Sequence, residues 1–347
     1  MISFKRKYKE LSTKSRTVFW ITLMLLAVVL TTIVYVLFLS GKLTLRRSYP
    51  IQGAQEHVYR NLADFDRITK WLKGLRMDPS TDTLHLTDLD SVVFYNPHNR
   101  PVVFTVTRRE PFCNVEWNIH INNRDYGVLF YIKYVTDTTS DLCIRVKAPL
   151  TKLQALGSFV LIDSIHYHMD RLARELNDYI ALQKNNYHMA VESETALERD
   201  PYLLVEREVE GQYFTKDLVH YLPDILIYGI KNGLYDRRGK LVMMRFEPRE
   251  GKIRYATGFP LAKQPAKLPS AYHIGHLPEG KFLSFRIQGD YLYHPYARTK
   301  AKYMLKAKGY RYDTGRPFVY RYLTGHSKYP KNPEKWETVL YMPVKNQ

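Results

Sequence analysis

Residues 17 to 39 read TVFWITLMLLAVVLTTIVYVLFL and carry no charge. At ~1.5 Å per residue, a helix of that length just crosses a hydrocarbon core of about 30 Å. A helix that is apolar on every face has no place at the surface of a soluble domain. Trp20 and Tyr35 stand near its ends, where amphipathic rings suit an interface. The sequence therefore predicts a single transmembrane helix over 17–39 behind a basic tail, 1–16, with the lipid bilayer as a partner. A cleaved signal peptide is the alternative, but this core exceeds the usual length of roughly 7–15 residues and lacks a small-residue cleavage site. Lys5, Arg6, Lys7, Lys9, Lys14 and Arg16 precede the run, and Lys42, Arg46 and Arg47 follow it. That bias predicts a single-pass protein of the cell membrane, N-terminus cytoplasmic and the remaining chain outside.

The remaining 300 or so residues suffice for two ordinary domains. Net charge is +18, spread along the chain. No zinc-ligand spacing, phosphate-binding glycine loop or basic heptad helix accompanies it, so no nucleic-acid partner is expected. Cys113 and Cys143 fall on strands separated by a third, too far apart for a disulfide. The 28 tyrosines offer apolar faces with a polar tip, suited to pockets and wet interfaces.

Between 48 and 184 the pattern runs strand, helix, antiparallel strands, long helix. HVYRNLADFDRITKWLKG has helical spacing. SVVFYN, PVVFTVTRRE, NVEWNIHI, YGVLFYIKYV and DLCIRVKAPL read as strands, with NNRD and DTTSD as hairpin turns. From Gly157 to Gln183 an apolar stripe recurs at helical spacing (Phe159, Ile162, Ile165, Met169, Leu172, Leu176, Tyr179). VYRNLADFDRITKW and the long last helix resemble START-like domains of the SRPBCC, polyketide cyclase/dehydrase type. That resemblance implies a helix-grip fold: a curved sheet around the helix with a cavity for lipids or polyketides between them. Phe104, Trp117 and Tyr131 would line such a cavity or fill it. His166 and His168 point to different helix faces and make no metal pair.

A polar stretch with three glutamates, 185–200, reads as a linker. The second domain, 201–347, is a duplication. LLVEREVEG, a helix, Gly233, LYDRRG and KLVMMRF can be laid on FLSFRIQGDY, a helix, Gly309, YRYDTG and RPFVYRY. Each half then closes with another strand, IRYATGFPL or WETVLYMPV, so each is β-α-β-β. Aligning Gly239 with Gly315 matches Met244 to Tyr320. On that register Met244, Phe246, Arg254, Tyr320, Tyr322, Glu337, Val339 and Tyr341 share one face and line a groove, with Arg254 opposite Glu337. Met243, Val319, Leu323, Leu340 and Met342 fall on the other face, beneath the helices. An apolar groove with few polar groups is the usual form of a small-molecule site.

RPFVYRYLTG and WETVLYMPV resemble GyrI-like small-molecule-binding domains, which also serve bacterial transcription regulators as effector-binding domains. The resemblance implies hydrophobic, often cationic ligands, and in some members hydrolysis of electrophilic compounds. Family members often carry glutamates where this chain has Tyr320 and Val339, a departure that weakens cation binding and weakens hydrolysis more. Glu337 is the nearest stand-in.

The fold expected is therefore α+β: a transmembrane helix, a helix-grip domain and a duplicated GyrI-like domain. The function expected is binding of a hydrophobic small molecule, for sensing or sequestration, by a monomer that needs no cofactor. Two alternatives stay open: a hydrolase using Glu337 as base with Tyr320 orienting water, and an interaction module with degenerate pockets. No metal site is expected, His273, His276 and His294 being loop histidines without a nearby thiolate or carboxylate.

Overall fold

Strict alternation in the strands of the first domain puts one apolar face inward, and the fold is built on it. The computed structural model describes residues 13–38, 42–74, 76–77, 91–150, 158–236, 240–324 and 332–345. The basic tail up to residue 12 and Gly239 lie outside the described residues, as do the side chains of 32–38 and of 158–159.

Helix α1 is Thr13–Phe38. Among the described residues no helix is long and apolar enough to cross a membrane. This corrects the transmembrane helix expected at 17–39, on which the bilayer partner and the orientation both rested.

The first domain follows as β1 (Lys42–Ile51), α2 (Gln55–Ala63), α3 (Phe65–Trp71), β2 (Arg76–Met77), β3 (Ser91–Tyr95), β4 (Pro101–Glu110), β5 (Asn114–Ile121), β6 (Arg124–Thr136), β7 (Thr139–Pro149) and α4 (Ser158–Gln183). Its antiparallel sheet has the order β1-β7-β6-β5-β4-β3-β2. Met169, Ala173, Leu176 and Ile180, one stripe of α4, are buried in the same core as Val92, Phe104, Trp117 and Phe130. Two indoles tie α2 to that core: Trp71 Nε1–H donates to Asn61 O at 2.9 Å and Trp117 Nε1–H to Leu62 O at 3.0 Å. Asp64 caps α3, its carboxylate accepting from Asp66 N–H at 2.9 Å. Cys113 and Cys143 are free thiols.

The second domain comprises β8 (His188–Ala196), β9 (Tyr202–Glu210), α5 (Phe214–Lys231), β10 (Val242–Arg245), β11 (Lys252–Pro260), β12 (His273–Gly275), β13 (Lys281–Gln288), α6 (His294–Ala307), β14 (Phe318–Tyr322) and β15 (Glu337–Pro343). The sheet order is β12-β9-β11-β10-β14-β15-β13-β8. Its central six strands read β9-β11-β10 and, mirrored in order, β13-β15-β14, so the duplication is visible as a two-fold between β10 and β14. Both helices stop at a glycine in the left-handed region, Gly233 (φ 62°) and Gly309 (φ 82°). The segment 185–200 is more than a linker: β8 pairs along the β13 edge, for example Phe285 with Val191.

Register settles the faces. Met243 pairs with Tyr320 and Met244 with Val319, so the two-fold relates Met243, not Met244, to Tyr320. The Gly239–Gly315 alignment slips by one residue and so sets β14 on the wrong face relative to β10: Met243 lies beneath the helices as expected, but Tyr320 and Tyr322 lie there with it, and Val319 does not. Tyr320, Tyr322, Met243 and Arg245 face the helices, together with Leu340 and Met342. Met244, Val319, Val339, Tyr341, Arg254 and Glu337 face away. Pro260 and Pro343 do correspond, because Val242–Gly258 in one half matches Val319–Tyr341 in the other.

Candidate functional site

A cavity of about 280 Å³ lies on the helix side of the second sheet, closed by the first domain. Its floor is Met243 and Arg245 of β10 with Tyr320 and Tyr322 of β14. One wall is the apolar stripe of α5, Phe214, Leu218 and Leu222; the other is Tyr291, Leu292 and His294 at the start of α6. The roof comes from the other domain: Ala54, Gln55, Glu56 and Arg60 around the first turns of α2, and Tyr134 and Asp137 of the β6–β7 hairpin.

The roof is held by specific contacts. Ala54 N–H donates to the Tyr296 hydroxyl oxygen at 2.9 Å, and that hydroxyl lies 3.2 Å from His57 Nδ1. The Tyr134 ring packs against Gly211 so closely that a Cβ there would collide with it. Asp137 reaches between two guanidinium groups, pairing with Arg245 through one oxygen and Arg298 through the other. Arg245 stacks over Phe214 at 4.4 Å and Arg298 over Phe318 at 4.6 Å.

Burial sets the protonation of the lining. His294 stacks on Tyr320, rings 4.7 Å apart and 8° from parallel. Desolvation pushes its pKa down to about 3, so it is a neutral imidazole at physiological pH. Burial likewise lowers His57 to about 4 and raises Tyr320 and Tyr291 to about 12 each. The Tyr320 hydroxyl donates to His294 O at 3.1 Å. Glu56 is neutralised within the site by Arg60 at 2.6 Å, although burial still raises its carboxyl pKa.

Of the groove residues expected from sequence, Tyr320 and Tyr322 line the cavity. Met244 instead packs with Tyr202, Leu204 and Val319, and Tyr341 borders that cluster. Val339 is buried on the same far face, opposite Arg321 in the register. The Arg254 guanidinium lies over Phe246 at 4.7 Å and pairs with Glu206 at 2.5 Å. Glu337 meets Arg286 at 3.6 Å. Arg254 and Glu337 occupy two-fold-related positions, but β10 and β14 run between their strands and keep them at least about 14 Å apart. They do not face each other, which corrects that expectation. Glu337 is not among the cavity residues, so a base at that position has no access to it.

In the first domain Phe104 and Trp117 are core: Trp117 is fully buried, with Phe104 and Phe130 ring centroids at 5.6 and 4.4 Å. Tyr131 is 41% exposed, because it alternates with buried Phe130 and so points away from the helix. It cannot line an interior cavity. His276 Nδ1 lies 3.0 Å from Arg199 O, at a distance in sequence and role from buried His294.

Sequence reasoning missed Arg245, Arg298 and Asp137. A signal existed for the first: in KLVMMRF, Arg245 alternates with Met243, and an arginine inside an apolar strand demands a partner. Asp137 in the hairpin TDTTSD read simply as a turn residue.

Residues 243–345 match the model of the GyrI-like small molecule binding domain. No curated protein matches the chain. Similar solved structures include the C-terminal domain of EcmrR, 14% identical over 46% of this chain and 99% of that one, with a TM-score of 0.36. An EcmrR–DNA complex is also similar, 14% identical over 54% of this chain and 70% of that one (TM-score 0.39). A conserved protein from Geobacillus kaustophilus is 16% identical over 41% and 97% (TM-score 0.33). Likeness at that level bears on no question of function.

Proposed function

We propose that the chain senses or sequesters a hydrophobic small molecule as a monomer, in the cavity between its two domains, with the first, START-like domain as the cover. The observation that carries this reading is the cavity itself. Apart from Arg245 and His294 its floor and walls are mainly apolar and aromatic, and it takes its roof, with Gln55, Glu56, Arg60 and Asp137, from a different domain. A ligand in contact with both domains biases how they sit together, which is what a sensor requires. The START-like core supports a covering role, since Phe104 and Trp117 are packed there.

N-phenyl-1-naphthylamine, a neutral aromatic dye that brightens in apolar surroundings, tests the site. It should bind the full chain with micromolar affinity, and Leu218→Trp, which puts a large ring into the cavity from α5, should abolish the signal. No binding, or binding indifferent to Leu218→Trp, would overturn the reading.

A further inference from the structure

We propose that the cavity selects an anionic amphiphile: an apolar body carrying one carboxylate or sulfonate, seated against the Arg245–Arg298 pair. This rests on the binding reading above and names the class of ligand.

Two guanidinium groups are buried at one end of the cavity, with side-chain exposures of 7% for Arg245 and 4% for Arg298. They share a single carboxylate, Asp137. Beside them Lys302 pairs with Glu247 at 2.8 Å, and the Tyr312 hydroxyl donates to the same carboxylate at 2.5 Å. That ion pair balances itself, so the pair of arginines keeps one positive charge uncompensated. The donors show the same deficit: Arg245 Nε, Arg298 Nε and Arg298 Nη1 are buried without a hydrogen-bond partner. A buried charge with open donors is costly, and an anion supplied by a ligand relieves both costs together.

The rest of the lining adds no charge to either side. Glu56 is matched by Arg60, and His294, Tyr291 and Tyr320 are neutral. Arg245 is the member of the pair that lines the cavity, so an anionic group enters against it while the apolar body lies along Phe214, Leu218 and Tyr322. A cation in the same position would meet an unbalanced guanidinium in a dry site. A phosphate dianion would overshoot a single excess charge, which favours the singly charged head.

Two dyes sharing one ring system provide the test: 8-anilinonaphthalene-1-sulfonate and N-phenyl-1-naphthylamine, which lacks the sulfonate. On the full chain the sulfonate should bind about tenfold tighter or more, the scale of a charge-assisted hydrogen bond in a buried site. Arg245→Gln should weaken the sulfonate about tenfold more than the neutral dye, removing that advantage. Asp137→Asn, which frees more of the guanidinium pair, should strengthen the sulfonate only. If Arg245→Gln does not fold, the parent ratio and Asp137→Asn decide. Equal affinities on the parent, parallel losses for both dyes in Arg245→Gln, or no gain in Asp137→Asn would overturn the anion selectivity. In those cases binding of both dyes that Leu218→Trp abolishes would leave the cavity reading standing. Failure of both dyes to bind would remove the cavity reading as well.

Discussion

The Tyr296 hydroxyl accepts the Ala54 N–H at 2.9 Å and lies 3.2 Å from His57 Nδ1, so one phenol of the second domain satisfies two groups of the first. The tautomer of His57 sets whether the hydroxyl donates to Nδ1 or accepts from it.

Removing that oxygen leaves both the buried Ala54 N–H and the buried His57 Nδ1 without it. Tyr296→Phe should therefore cost about 1–3 kcal/mol, and the loss should fall on the contact between domains rather than on either core. Differential scanning calorimetry should show one transition separating toward two. A single transition at an unchanged Tm would contradict the linkage.

Acid should loosen the same contact. His57 and His294 titrate near 4 and 3 in the folded chain because burial disfavours their charged forms. An unfolded histidine titrates near 6.5, so between these values the unfolded chain binds more protons and stability rises with pH. The contribution is complete above about 6.5 and is lost as pH falls, at no more than about 1.4 kcal/mol per pH unit for each histidine. Urea midpoints measured from pH 8 to 5 should decline below 6.5, and less steeply in His57→Gln. A flat profile in the parent would refute it.

Gly211 and Tyr134 touch across the domain boundary. Gly211→Ala should cost about 1–3 kcal/mol by overpacking. Adding Tyr134→Ala should recover much of that, giving a coupling energy a double-mutant cycle can resolve. Additive costs would mean the two residues are independent.

Arg254→Ala should do little. Its partner Glu206 and it are 38% and 55% exposed in their side chains, and such pairs contribute about 0–1 kcal/mol. Titration with either naphthyl dye should match the parent, because the residue faces away from the cavity. A changed affinity would place the binding site on the other side of the sheet.

Much of this architecture could be read in advance. Period-two alternation located the strands of both domains, and the duplicated β-α-β-β order appears in the sheet as the two-fold between β10 and β14. The face assignment failed for a definite reason. A glycine match is a local signal that tolerates a one-residue change in loop length, whereas strand pairing does not, and a slip of one set Tyr320 and Tyr322 on the face of Met244 when they share that of Met243. Tyr320 and Tyr322 do line the cavity, but on the helix side of the sheet, the face opposite the expected groove. The roof was beyond reach: nothing within TDTTSD announces that Asp137 ends between two arginines more than 100 residues away. Pattern also misjudged 17–39, since among the described residues no helix is long and apolar enough to cross a membrane, and 185–200, whose glutamates read as solvated linker although His188–Ala196 pairs along an edge.

Between the last residue of α4, Gln183, and the first of β8, His188, only four residues intervene. The helix sealing the first core therefore runs almost without slack into a strand bonded to β13, whose chain continues to the Tyr291–His294 wall. A tilt of α4 would therefore load the outer strands of the second sheet. The two halves of the chain are geared together rather than strung in series, and severing them within 185–200 would strip one gear of its teeth.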